Sequence, residues 1–164
     1  MPLRIARSGL GITPSAGSGV LIDAFRQRLE ELGWIEDRNL HLDLRWGGGG
    51  PEGVHKNAVE LVRLSPDVIV APGSAAAGPA LKATRSVPVV FTIVPDPVGA
   101  GFVESLSKPG GNATGFASFD YSIGGKWLEL LKEIAPSIKR VGVIRDPDIT
   151  AGIGQGLARV RCIF

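Results

Sequence analysis

Apolar positions along the chain recur in two periods, and the switching between them lays out the elements. Leu3–Ala6 reads as a short first strand. From a serine cap at Ser15 or Ser18 to Leu32 the period is helical: Ile22, Phe25, Leu29 and Leu32 share one face, with Asp23, Arg26, Glu30 and Glu31 opposite. Gly33 suits the left-handed stop that follows. In Leu40–Trp46 the period falls to two, with Leu40, Leu42, Leu44 and Trp46 on one face and His41, Asp43 and Arg45 on the other. One wet face is what the edge of a sheet requires. A second helix is predicted over Pro51–Leu64, with Val54, Ala58, Leu61 and Val62 inward.

Asp67–Ala71 and Pro88–Val94 are continuous apolar runs, the mark of central parallel strands. Between them a helix opens near Ser74. Pro97–Leu106 reads as a short helix with Phe102, Val103 and Leu106 inward, and Ala113–Phe116 as a fifth strand. Tyr121–Ile134 is an amphipathic helix with Trp127, Leu128, Leu131 and Ile134 on one side, followed by a sixth strand at Val141–Ile144. From Ala151 a helical pattern begins and stops.

Strands alternating with helices at this spacing predict βαβ units and a three-layer, doubly wound α/β fold on a parallel sheet. In such a sheet ligands sit outside the carboxyl ends of the strands, near the reversal of strand order. The loops that matter are then Ser8–Thr13, Trp46–Gly53, Pro72–Ala75, Pro95–Val98 and Ala117–Asp120.

Composition narrows the function. The 164 residues suffice for one domain or slightly more, and 44% hydrophobic with 21% charged residues is a globular balance. A formal charge of +2, with no basic runs, gives no footprint for nucleic acid or an anionic membrane. The single cysteine, Cys162, excludes an internal disulfide and a CxxC metal site. No apolar stretch is long enough to span a membrane. The opening "MPLRIARSGLG" lacks the apolar core of a secretory leader, so as written the chain is expected in the cytoplasm or without its leader.

Candidate chemistry is sparse. Gly9-Leu10-Gly11 begins a dinucleotide fingerprint, but Pro14 replaces its third glycine and no acid ends the second strand. The run Gly47–Gly50 lacks the Lys-Ser/Thr of a phosphate loop and follows an edge strand, so it reads as slack connection. A nucleotide-binding α/β enzyme using these glycine loops is the alternative reading. A phospho-receiver domain needs acids where Arg7 and Pro72 stand. His41 and His55 are not at metal-ligand spacing with carboxylates, and no G-x-S-x-G elbow occurs. Asp96 ends a buried strand and can either receive a ligand ammonium group or cap a helix started by Pro97. Ser74 has the same two readings, helix cap or ligand contact at a helix start.

Four segments, "FRQRLEELGWIEDRNLHLDLRW", "LVRLSPDVIVAPGS", "ALKATRSVPVVFTIVPDPVGAGFVESLSKPGGNATGF" and "KWLELLKEIAPSIKRVGVI", resemble in order the ABC-transporter substrate-binding proteins of periplasmic-binding type I fold. The resemblance runs from about Leu3 to Gln155, and "SLSKPGGNATG" is its most specific piece. It implies a non-enzymatic protein without cofactor or metal. Two α/β lobes would close on a small solute, amino-acid-like and in some members aromatic, for delivery to an ABC permease, in the periplasm or at the cell surface. Carried over by position, the ligand contacts are Gly11, Ile12, Thr13, Gly73, Ser74, Ala75, Asp96, Ser118 and Phe119, with Phe119 either stacking on the ligand or packing in the hinge. Family members run to about twice this length. The resemblance therefore implies a first lobe over residues 1–118 and, over 119–164, the hinge and the start of a truncated second lobe. Trp127, Leu128, Leu131 and Ile134 then lack the sheet they should cover, and either folding back on the first lobe or self-association through them is expected.

Overall fold

The computed structural model describes residues 2–8, 16–46, 50–118 and 123–142. Five strands form one parallel sheet: β1 (Leu3–Ser8), β2 (Leu40–Arg45), β3 (Val68–Pro72), β4 (Val89–Val94) and β5 (Ala113–Ala117). Four helices accompany them: α1 (Ala16–Glu31), α2 (Gly50–Arg63), α3 (Ser74–Ala83) and α4 (Ile123–Ile134). The spatial order is β2-β1-β3-β4-β5. The alternating strand β2 is at one edge and the apolar runs β3 and β4 are internal, as their patterns predict.

The order of strands places the helices. The chain steps one way from β1 to β2, then crosses back over β1 to β3 and β4. Right-handed crossovers therefore put α1 on one face and α2 and α3 on the other. Consistently, α2 and α3 pack on each other, α2 on β1 and β2, and α3 on β3 and β4. The result is the predicted three-layer, doubly wound α/β arrangement.

The core fills the space under α2 and α3. Leu61, Ile69, Ala71, Ala76, Ala77, Ala80, Val89, Phe91, Val94 and Ala113 are buried there in one cluster. Three alanines on α3 let its backbone approach the sheet closely, and each larger side chain in the cluster contributes roughly 2 kcal/mol by leaving water. On the opposite face Val68, Val70 and Val90 are only half-buried. The central strands are thus well covered on one side and thinly on the other, where their continuous apolar sequence predicts cover on both.

Loop hydrogen bonds explain the most family-specific motif. Ser105 Oγ accepts from Lys108 N at 3.0 Å and Glu104 N donates to Pro109 O at 2.9 Å, closing a tight turn. Asn112 Nδ2 donates to Val87 O at 2.7 Å and Thr84 O at 3.3 Å, tying the start of β5 to the turn before β4. The buried Thr84 organises that turn by accepting from Ser86 N and Val87 N. "SLSKPGGNATG" is therefore scaffold: it sets β5 in register.

Several local expectations are corrected. Pro97–Leu106 is not a helix. Asp96 Oδ1 accepts from Gly99 N at 2.7 Å and Ala100 N reaches Asp96 O at 3.0 Å, but Gly101 at φ +72° ends the turn at once. Phe102 and Val103 still face inward, while Leu106 is exposed. Ser18 lies inside α1 and is not its cap; Ser15 lies outside the described residues. Leu32 falls beyond the end of α1 and is exposed, because the chain turns at Gly33 (φ +86°). Val141 and Gly142 are not in a strand; residues 143–164, with Cys162, lie outside the described residues, as does Tyr121.

On the polar side of the β2 edge, Arg4 Nε donates to Asp43 Oδ2 at 2.7 Å, across a diagonal pair of neighbouring strands. That hydrogen bond holds the Asp43 carboxyl below its ordinary pKa, against an opposing effect of burial. A carboxylate with a depressed folded-state pKa adds stability above its unfolded pKa, and the contribution is lost as pH falls through the folded value. The loss lies below about pH 4. Asp43→Asn is thus expected to lose less stability than the parent between pH 7 and pH 3, read from urea midpoints at each pH.

Candidate functional site

The reversal in strand order lies at β1, flanked by β2 on one side and β3 on the other. The loops after β1, β3, β4 and β5 all leave the same carboxyl edge of the sheet. Gly73, Ser74 and Ala75 follow β3, Asp96 follows β4 and Ser118 follows β5, so the fold brings these predicted residues to one edge. Gly11, Ile12, Thr13 and Phe119 lie outside the described residues, as do Gly9 and Gly47–Gly49 of the glycine loops.

The turn from β3 into α3 is the best-defined part. Gly73 takes φ +75° and ψ 162°, a conformation essentially confined to glycine, and its N–H donates to Thr92 O at 2.6 Å. Gly73 is the N-cap of α3 and provides no side-chain cap. Ser74, expected as the cap, is instead the first helical residue. Its Oγ is buried without a hydrogen-bond partner among the described residues. Leaving a buried hydroxyl unpaired costs roughly 1–3 kcal/mol. Ala76 N and Ala77 N turn back to Gly73 O at 3.2 and 3.0 Å. The amides of Ser74 and Ala75, earlier in the first turn, have no acceptor within the helix. Among the described residues, an unpaired hydroxyl thus accompanies two amides without an acceptor at the positive end of a helix, a combination suited to a carboxylate.

Asp96 shows the capping reading in operation, on a turn rather than a helix. Oδ1 takes the Gly99 amide, and a side chain at Gly99 would collide with the carboxylate. Oδ2 has no hydrogen bond among the described residues. One carboxylate oxygen therefore fixes the loop, and the other has no hydrogen bond within it. Just upstream, β4 carries an irregularity: register shifts between Phe91 and Val94, and Ile93 sits at φ +56°. Positive φ is a genuine outlier for a β-branched residue and costs on the order of 1–3 kcal/mol. No sequence signal marks it, since "PVVFTIV" reads as an ordinary strand. The bulge re-aims the end of β4 just before Asp96, and Ser118 N still closes the ladder on Val94 O at 3.1 Å.

Other features lie away from this edge. A cavity of about 220 Å³, lined by Arg26, Glu30, Trp34, Ile35, Glu36 and Leu40, sits at the opposite end of the sheet, where β2 begins. His41 stands on the polar face of β2 with Nε2 3.6 Å from Asp43, and His55 is exposed on α2. Among the described residues no three His, Cys, Asp or Glu gather as a metal site, and no helix is long and apolar enough to cross a membrane.

Comparison with known proteins agrees with this fold. A family model described as ABC transporter substrate binding protein matches residues 18–155. A tyrosine-binding protein of Clostridioides difficile (strain R20291) is 37% identical over 120 residues, covering 73% of this chain and 34% of its own. The crystal structure of a conserved domain protein from Vibrio cholerae superposes with TM-score 0.74 at 32% identity, over 96% of this chain and 51% of the other. A Streptococcus pneumoniae ABC domain solved with L-Trp superposes with TM-score 0.76 over 96% of this chain and 51% of its own; at 23% identity that likeness speaks for the fold. The chain thus spans about half the length of these solved structures and about a third of the curated relative. The matching family comprises binding proteins rather than enzymes, which sets aside the reading as a nucleotide-binding enzyme. On the match over residues 18–155, this chain belongs to the ABC transporter substrate-binding protein family.

Proposed function

We propose that this chain forms one wall of a cleft that captures an amino-acid-like solute for an ABC permease, outside the cytoplasmic membrane. Residues 1–118 are the first lobe, and 119–164 are the hinge and the opening of the second. The observation that carries the reading is the buried, unpartnered Ser74 Oγ beside the free amides of the first turn of α3. A solute carboxylate placed there accepts from the Ser74 hydroxyl and from the Ser74 and Ala75 amides, with the helix end favouring negative charge. Asp96, on the loop of the adjacent strand, offers Oδ2 to the ammonium group. Opposite charges of one small zwitterion are thereby met from neighbouring loops of the same edge. Gly11, Ile12, Thr13, Ser118 and Phe119 complete the wall, with Phe119 available to an aromatic side chain. The similarity to a tyrosine-binding protein supports an aromatic amino acid as the first solute to test.

These contacts come from one lobe of a two-lobed fold. Closure of a second lobe would supply the rest. The test is titration of the chain with L-tyrosine, followed by amide NMR shifts. Ser74→Ala is expected to weaken binding about tenfold, the effect of one hydrogen bond to a charged group. Equal binding by parent and Ser74→Ala would remove the basis of the assignment.

A further inference from the structure

The irregularity in β4 exchanges two side chains. Phe91 and Val94 are an odd number of residues apart, which on a regular strand sets them on opposite faces. Both are nevertheless buried in the one cluster under α2 and α3. The register explains it: Phe91 pairs with Gly115 and Val94 with Ala117, so β4 carries one residue more than β5 over this step. Without the extra residue Ile93 would follow Phe91 into the core. Instead Val94 is fully buried, and Ile93 is 59% exposed although β4 has a strand on each side. Stability argues against this arrangement twice. The larger side chain is left in water, and a β-branched residue is held at φ +56°. Strain of that kind gathers at ligand sites.

Ile93 also adjoins the candidate site. The peptide unit that joins Thr92 to Ile93 supplies the carbonyl, Thr92 O, that Gly73 N meets at 2.6 Å, one residue before Ser74. Asp96 follows Ile93 by three residues. Ser74 and Asp96 suit the charged groups that every amino acid shares, so choice among solutes requires a contact to the side chain. We propose that Ile93 is that contact: its stiff, branched surface receives an apolar side chain of the solute, aliphatic or aromatic, and selects against a polar one. The proposal rests on the amino-acid site at Ser74 and Asp96 and adds its selectivity.

Amide NMR titrations of the 164-residue chain with L-tyrosine, L-leucine and L-serine test this. The parent is expected to bind tyrosine and leucine about tenfold more tightly than serine. Ile93→Ala should weaken both apolar amino acids about tenfold and leave serine within about twofold. Ile93→Gly should weaken them as much, yet raise the urea midpoint, because glycine takes positive φ without strain. Loss of serine along with tyrosine and leucine would make Ile93 a residue that only shapes the loop, which overturns the proposal while the site at Ser74 stands. Unchanged binding of all three overturns it too, and leaves Ile93 to contacts with the rest of the longer fold. A lower midpoint for Ile93→Gly contradicts the strain on which the assignment stands. A parent without saturable shifts for any of the three removes the amino-acid site itself, and the proposal with it.

Discussion

Gly115→Ala lowers folding stability by about 3–5 kcal/mol, a large share of the roughly 5–15 kcal/mol available to a domain of this size. The reason is local. Next to the β4 irregularity, β5 runs so close to β4 that a Cβ on Gly115 would meet the carbonyl oxygen and carbon of Phe91, closer than any real Cβ contact. Those are backbone atoms held in the ladder, and the ring of Phe91 beside them is buried at 2% exposure. Neither can swing aside as the end of a flexible side chain would. Gly111→Ala is the matched control: nothing lies within 4 Å of its added Cβ. Its effect should stay within about 0.5 kcal/mol. Urea denaturation followed by circular dichroism reads both, and a Gly115→Ala midpoint equal to that of Gly111→Ala would contradict the close approach of the two strands.

Leu61→Ala is expected to cost about 2–5 kcal/mol, again by urea denaturation. Leu61 is fully buried on α2, in the cluster it shares with Ile69, Ala77, Val89 and Phe91. Removing its branched end leaves a cavity between helix and sheet that neighbouring alanines are too short to fill. The same change at Leu106, 69% exposed, should cost less than about 0.5 kcal/mol. That contrast matters because sequence periodicity treats the two leucines alike, as inward residues of helices, and only the structure separates them.

Much of the fold was legible because two physical signals agree with it. The strict alternation of Leu40–Trp46 marked an edge strand, and the unbroken apolar runs of β3 and β4 marked the centre. Long-range geometry was not legible. Pro97–Leu106 carries helical spacing at Phe102, Val103 and Leu106, yet Gly101 at positive φ ends the turn after one round. The glycine could have warned of this; its conformation could not be read from spacing. At the site, sequence pointed to Gly73–Ala75 and Asp96 but misassigned the cap. Gly73 and Ser74 both suit an N-cap, and the choice was made by the approach of Gly73 to Thr92 on the neighbouring strand. The bulge at Ile93 had no signature at all, because it answers to the register between β4 and β5. The exposed seam of α4 differs from the predicted one for a similar reason: Leu128 and Leu131 are partly covered, and Leu130 is not.

The same logic separates scaffold from site within the family resemblance. Its most specific motif closes a turn and anchors β5 through Asn112, whereas the residues proposed to hold solute sit in shorter, plainer loops. Solute capture at this edge therefore depends on the loop after β3. The direct measurement is a titration of the ¹⁵N-labelled chain with L-tyrosine. Saturable shifts at Ser74, Ala75 and the turn around Asp96, with the β2 edge at Leu40–Arg45 unmoved, are the predicted result. No saturable shift, or shifts confined to the cavity of Trp34 and Glu36 at the far end of the sheet, would contradict it.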